Sequence, residues 1–395
     1  MKKVLCVVLV LALVVITASA TFLATTRWMV SQYEAEISTD AVQYKMERLA
    51  ALLETYFIDD YDLQTLEQAA ADGAAEAMVE ATGDRWSYYI SEADMQAYDE
   101  QMTNAYVGIG VTIQEVEKGV EIISITQDGP AQEAGLLVGD IIVAVEGESI
   151  AGAGLEGTKT LVRGEEGSFV TVTVERGTET MDVTVQRRSV VVDVAELTML
   201  DDHIAWITIS NFDAHCAEHT IGCIEDALEQ GAEALIFDVR FNPGGYKDEL
   251  TKILDYLLPE GDLFRSVDYR SVEEVDTSDA RCLQMPMAVL INEDSYSAAE
   301  FFAAALQEYD WAEIVGMQTS GKGNFQYTLD LGDGSAVALS SGKYFTPQGK
   351  SLTDVGVVPD VEVDLNAEAY QALYYGVLEA DQDAQLQAAV ASLAG

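Results

Sequence analysis

Two short segments hold the residue types most able to do chemistry. Ser295-Tyr296-Ser297-Ala298-Ala299-Glu300 follows an apolar stretch and opens a helical pattern, and Thr319-Ser320-Gly321-Lys322-Gly323-Asn324-Phe325-Gln326 lies about one element later. A Ser-x-x-Glu at a helix start is first of all a capping box, in which Ser297 and Glu300 satisfy each other's backbone donors. Capping does not account for a lysine between two glycines with a glutamine four residues on. A serine hydroxyl needs a base to act as a nucleophile, and a lysine serves as base only when neutral, which requires burial to lower its pKa from about 10.4. The 3 histidines stand in no context that marks a Ser-His-Asp triad. His215-Cys216-Ala217-Glu218-His219 with Cys223 looks superficially like a metal cluster, but the stretch has the spacing of an ordinary amphipathic helix. No metal and no other cofactor is expected.

The 395 residues include 68 acidic and 21 basic side chains, a formal net charge of −47. That excess repels a phosphate backbone, whose binding needs Lys and Arg to displace counterions, so no nucleic-acid partner is expected. With 49% hydrophobic residues and only 6 prolines, the chain is folded rather than a disordered acidic tail. Residues 1–30 stand apart. Lys2 and Lys3 precede a charge-free, mostly apolar run from Val4 to about Ala24, and no acidic residue appears before Glu34. About 20 apolar residues cross a hydrocarbon core roughly 30 Å thick, while Ala18-Ser19-Ala20 looks like a signal-peptidase site. Both readings export the rest of the chain. The continuation of the run past Ala20 favours a retained single-pass anchor in the cell envelope, with the folded domains outside the cytoplasm; cleavage near Ala20 would secrete them. Cys6, Cys216, Cys223 and Cys282 make no disulfide framework.

The elements that must position the two segments emerge from periodicity. Residues 31–102 form a helical region, with Met46, Leu49, Leu52, Leu53 and Phe57 at spacings of three and four, followed by an aromatic cluster at Trp86, Tyr88 and Tyr89 expected to be a packing site. Residues 103–190 alternate as short strands between turn glycines. From 191 to 365 the order is strand, helix, strand, with continuous apolar runs at Ala234–Val239 and Met287–Ile291, which argues a buried parallel sheet with crossover helices. Residues 366–395 return to helical spacing. The fold class is α/β and α+β multidomain: an N-terminal helical segment, a β-rich domain, an α/β core and a C-terminal helix.

Within the β-rich region, Gly108-Ile109-Gly110 before a strand, Asp128-Gly129-Pro130-Ala131 with Ala134-Gly135-Leu136, and Gly139-Asp140-Ile141-Ile142 together resemble a PDZ domain of the bacterial protease-associated kind. That resemblance implies capture of a peptide C-terminus, its carboxylate held by backbone N–H groups of Val107, Gly108, Ile109 and Gly110. The chain from about Tyr44 onward closely resembles the carboxyl-terminal processing proteases, tail-specific serine proteases carrying a PDZ domain. On that resemblance Ser297 is the nucleophile, Lys322 the general base and Gln326 the residue that orients the lysine. Asp238-Val239-Arg240-Phe241-Asn242-Pro243-Gly244-Gly245 matches the family's glycine loop, so the amides of Ala298 and of Gly244 or Gly245 are the expected oxyanion donors. Arg163 occupies a PDZ position that in relatives can contact the protease core; a solvated charge at a strand end is the alternative. The resemblance implies a serine endopeptidase acting on flexible protein C-termini, with flanking helices able to build a homodimer. A non-catalytic PDZ scaffold on a degenerate protease fold is the alternative.

Overall fold

A computed structural model describes residues 40–200 and 203–393. The expected membrane segment at 1–30 therefore lies outside the described residues, and no helix among those described is long and apolar enough to cross a membrane. The chain divides into two units, residues 1–81 and 82–395.

The first unit holds helix α1 (Asp40–Tyr56) and helix α2 (Leu63–Glu80). Asp62 caps α2, its carboxylate accepting the Thr65 N–H at 2.7 Å. The apolar positions of α1, among them Val42, Met46, Leu49 and Leu52, are exposed.

The second unit opens on strand β1 (Tyr88–Ile90) and helix α3 (Glu92–Thr103). The aromatic cluster thus lies at a strand and its approach rather than between docked helices. Next comes the PDZ fold: β2 (Ala105–Gly108), β3 (Val111–Val116), β4 (Gly119–Ile125), the single turn α4 (Pro130–Glu133), β5 (Ile141–Val145), β6 (Glu148–Ser149), α5 (Gly154–Val162), β7 (Phe169–Arg176), β8 (Glu179–Gln186) and β9 (Arg188–Val191). Its main sheet runs β3-β4-β5-β7-β8, leaving β3 at an edge, while β2 pairs with β9. The alternation in β7 explains its own burial, since Val170, Val172 and Val174 are buried and pack on Ile122, Ile142 and Val185. Arg163, just past α5, pairs with Glu100 of α3 at 2.9 Å and lies 5.5 Å over the Tyr106 ring, so its contact is to the helix before the PDZ domain.

The remainder contains β10 (Ala195–Leu200), β11 (Ile204–Ile209), α6 (Cys216–Glu229), β12 (Ala234–Asp238), α7 (Lys247–Leu257), β13 (Gly261–Asp268), β14 (Glu273–Ser278), β15 (Met287–Ile291), α8 (Ala298–Glu308), β16 (Glu313–Gly316), β17 (Asn324–Asp330), β18 (Ala336–Phe345), β19 (Val361–Glu362), α9 (Ala367–Tyr374) and α10 (Ala384–Leu393). One sheet runs β10-β11-β12-β15-β16-β19, parallel except for β10. Its central strands are apolar without interruption because both faces are covered. Leu235, Phe237, Val289 and Ile291 face a cluster with α6, α7 and α8, whereas Ile236, Ala288 and Leu290 face Leu386 and Ala389 of α10. A second sheet, β1-β18-β13-β14 with β17 on β18, is antiparallel.

Candidate active site

The carboxyl ends of four neighbouring strands feed one cleft, the place where an open α/β sheet presents its loops. Asp213 follows β11, the glycine loop follows β12, Ser297 follows β15 and Lys322 follows β16. The cleft, about 1220 Å³, is lined by Ser297, Lys322, Gln326, Gly244, Gly245 and Asp213 among others. Asp213, Gly245, Ser297 and Lys322 are therefore brought together by the pairing of these strands.

Ser297 sits at the first turn of α8 with φ 58° and ψ −125°, in a backbone region an L-residue seldom occupies. Such a conformation costs of order 1–3 kcal/mol and persists only where the surroundings hold it. Here they do. The Tyr296 N–H donates to the Asn242 carbonyl at 3.1 Å, the Ser297 N–H donates to the Glu300 carboxylate at 2.9 Å, and the Glu300 N–H returns to the Ser297 carbonyl at 2.9 Å. Ser295 Oγ donates to the Val239 carbonyl at 2.7 Å, and Asn292 Oδ1 accepts the Phe241 N–H at 2.9 Å, lacing the β12 and β15 loops together.

Glu300 does more than cap. Its carboxylate, fully buried, also accepts from Thr319 Oγ1 at 2.5 Å, the Gly321 N–H at 2.7 Å and the Lys322 N–H at 2.8 Å. Burial pushes its pKa up, and these four donors oppose the shift. One carboxylate thus staples the backbone of the serine to the backbone of the lysine. The lysine loop is pressed from its other side by the 353–355 backbone. A Cβ on Gly323 would lie 2.7 Å from the Thr353 N, so glycine is required there.

The Lys322 side chain is mostly buried, and burial pulls its pKa down to about 8 although Glu300, Asp84 and Asp213 all favour the charged form. Its Nζ lies 4.9 Å from the Trp86 ring centroid and 5.5 Å from that of Tyr296, and it makes no hydrogen bond or ion pair with the described residues. Arg85 also lies over the Trp86 ring, 4.2 Å from its centroid, and donates to the Ser320 carbonyl at 3.0 Å. Nothing in the sequence pattern around Trp86 marks it as a site residue; only the pairing of β1 with β18 brings it there.

Gln326 lies on β17 beyond the loop that carries Lys322, so the two share the cleft but not a strand face. Its Nε2 is buried without a hydrogen-bond partner. The glycine loop narrows the choice of oxyanion donors. The Gly244 N–H is already given to Asn242 Oδ1 at 2.8 Å, whereas the N–H groups of Gly245 and Ala298 meet no acceptor among the described residues. Gly245 has φ 149°, and a Cβ there would lie 2.2 Å from the Phe212 carbonyl carbon. Arg240, in the same loop, is buried against Asp238 at 2.5 Å and Asp383 at 2.8 Å, which ties the loop to the residue preceding α10.

In the PDZ domain, Val107 and Gly108 end β2 opposite Ser189 and Arg188. The Ile109 and Gly110 carbonyls accept from Ala131 and Thr126, but their N–H groups meet no acceptor among the described residues and lie beside the open edge of β3. His219 Nδ1 accepts the Val194 N–H at 3.3 Å, and His215 stacks on its ring at 6.1 Å. Cys216, Cys223 and Cys282 are free thiols.

Residues 203–363 match the family model of peptidase family S41, and residues 107–186 that of the PDZ domain. A CtpA-like serine protease of Staphylococcus haemolyticus is 30% identical over 364 residues, which cover 90% of this chain and 72% of that protein. Among solved structures, the photosystem II D1 C-terminal processing protease is 25% identical with a TM-score of 0.47, covering 85% of this chain and 91% of that one. An S41 protease from Bacteroides fragilis is 17% identical with a TM-score of 0.50, covering 81% and 90%.

Proposed function

The chain belongs to the CtpA-like serine proteases of peptidase family S41, and we propose that it cleaves peptide bonds with Ser297 as nucleophile and Lys322 as general base. The neutral Lys322 amine takes the Ser297 proton as Oγ adds to the scissile carbonyl carbon. The oxyanion that forms lies between the N–H groups of Gly245 and Ala298, at the positive end of α8. Collapse expels the amine of the leaving peptide, which takes the proton from Lys322. Lys322 then deprotonates a water that hydrolyses the acyl ester, and the proton returns to Ser297. Gln326 lines the same cleft, and in this reading its amide oxygen accepts from the lysine amine once that amine leaves the aromatic faces. The observation that carries this reading is a lysine whose pKa burial has brought to about 8 in the cleft of a serine held in a strained turn.

The PDZ domain supplies the substrate end. We infer that an unstructured protein C-terminus adds to β3 and places its carboxylate on the N–H groups of Ile109 and Gly110. Residues 1–30 are read as an anchor that holds both domains outside the cytoplasm, and the exposed apolar face of α1 fits pairing of two copies. The decisive test is Ser297→Ala. It should abolish cleavage of an unfolded protein and labelling by a serine-reactive fluorophosphonate, with the melting transition unchanged within a few degrees. A wild-type chain that neither cleaves nor takes the label is the non-catalytic scaffold instead.

A further inference from the structure

The Asp213 carboxyl has no hydrogen-bond or ion-pair partner among the described residues, and the one cation whose charge favours its ionised form is Lys322. Asp213 is 3% exposed, its own N–H goes to Asn211 Oδ1 at 2.9 Å, and its carbonyl takes the Cys216 N–H at 3.2 Å. Its carboxyl lines the cleft and receives no hydrogen bond or ion pair from the described residues. Buried carboxyls are ordinarily paired or hydrogen-bonded, so one that meets only the open cleft is free to take a partner from outside the chain. The cleft's own cations are engaged. Arg85 is on Ser320 and Trp86, Lys247 on Glu274 and Asp276, Lys252 on Glu249 and Arg270 on Asp268. Lys322 is the exception, and as the base it must be neutral to work.

The position of Asp213 says what the missing partner is. Phe212 bridges Gly245, with its N–H on the Gly244 carbonyl at 2.7 Å and its own carbonyl taking the Tyr246 N–H at 2.8 Å. Asp213 is therefore one residue along from the backbone that abuts the oxyanion glycine, where side chains flanking a scissile bond must pass. The charge of Asp213 is felt by Tyr88, Tyr246 and Tyr296, which line the same cleft. Their rings suit the aliphatic stem of a long cationic side chain whose head reaches the carboxyl.

We propose that Asp213 is a specificity-determining residue that receives a lysine or arginine side chain of the substrate, one residue to either side of the bond that is cut. The proposal rests on the reading of Ser297 as nucleophile. In the free enzyme burial pushes the Asp213 pKa up to about 7, so ionising it for an incoming cation is easy near neutral pH. The same pairing removes an uncompensated negative charge from the neighbourhood of Lys322. Besides Asp213, the acidic groups acting on that amine are Glu300 from α8 and Asp84 ahead of β1. A cationic substrate thus both fills the subsite and favours the neutral base.

The test is a panel of otherwise identical peptides in which each residue flanking the cleaved bond is in turn lysine, norleucine or glutamate, with cut sites mapped by mass spectrometry. The lysine peptide should exceed the norleucine peptide in kcat/KM by roughly 10- to 100-fold at one of the two positions, with glutamate poorest. In Asp213→Asn and Asp213→Ser that ratio should fall to within about 3-fold, while fluorophosphonate labelling of Ser297 persists. Equal use of lysine and norleucine by the wild-type enzyme overturns the assignment without any variant. So does a variant that moves the pH profile yet keeps the lysine preference, since Asp213 would then act on Lys322 alone. Labelled Ser297 without a lysine preference leaves the nucleophile standing and removes Asp213; absence of both labelling and cleavage in the wild-type chain overturns both.

Discussion

The two sides of the cleft are built on opposite rules. Beneath Ser297, nearly every polar group is spoken for: Glu300 takes four donors, Asn242 holds the Gly244 N–H and the Ile209 carbonyl, and Ser295 and Asn292 lace two loops together. Facing the cleft, the Lys322 amine, the Asp213 carboxyl, the Gln326 amide nitrogen and the Gly245 N–H have no polar partner among the described residues. The contrast separates scaffold from working groups without reference to motif. Polar groups left unpaired at a cleft, beside a floor whose groups are mostly satisfied, mark where a substrate is expected to supply the missing bonds.

That contrast can be broken from either side. The largest effect belongs to Lys322→Met, which keeps the bulk but removes the proposed base; kcat/KM should fall by roughly 10²- to 10⁴-fold, with fluorophosphonate reactivity falling in parallel. In the wild-type enzyme the active form is the neutral amine, so kcat/KM should rise with pH and level off above about 8. A flat profile from pH 6 to 9 would count against the lysine. Next, Gly245→Ala forces a Cβ into the Phe212 backbone and displaces one oxyanion donor, for a loss of roughly 10²- to 10³-fold in kcat with KM little changed. Glu300→Gln attacks the floor, because an amide cannot accept from all four donors. It should cost about 2–4 kcal/mol in denaturant unfolding and lower kcat by loosening both loops. The smallest effect is the most diagnostic. Trp86→Leu keeps Lys322 buried but removes a ring face that favours its ammonium form, so the rising limb should move to lower pH by roughly half a unit to one unit.

Much of this is legible in the sequence alone. The uninterrupted apolar runs at Ala234–Val239 and Met287–Ile291 point to a sheet covered on both faces, and the alternation across the PDZ region points to its strands, because period and burial are local consequences of sequence. Ser297 and Lys322 draw attention through a capping signal and flanking glycines, while Gln326 and the glycine loop are given roles only by the family resemblance. Contacts made by topology alone leave none. Trp86 reads as a packing aromatic, yet strand pairing lays it on Lys322 from 236 positions earlier in the chain. Asp213 carries no sequence signal that singles it out. The engagement of the Gly244 N–H by Asn242 depends on a loop conformation, with Phe241 at φ 59°, that composition does not reveal. The tie from Arg240 to Asp383 joins residues with no shared pattern.

The convergence of four strand ends on one cleft also orders events in time. A chain in which β15 has paired but β16 has not carries its serine without its base, and one lacking the β11–β12 pairing lacks the wall that sets Gly245. Parallel strands close late, because long connections must be ordered before their contacts form. With the proposed dyad, cleaving power would therefore be acquired only with the finished sheet.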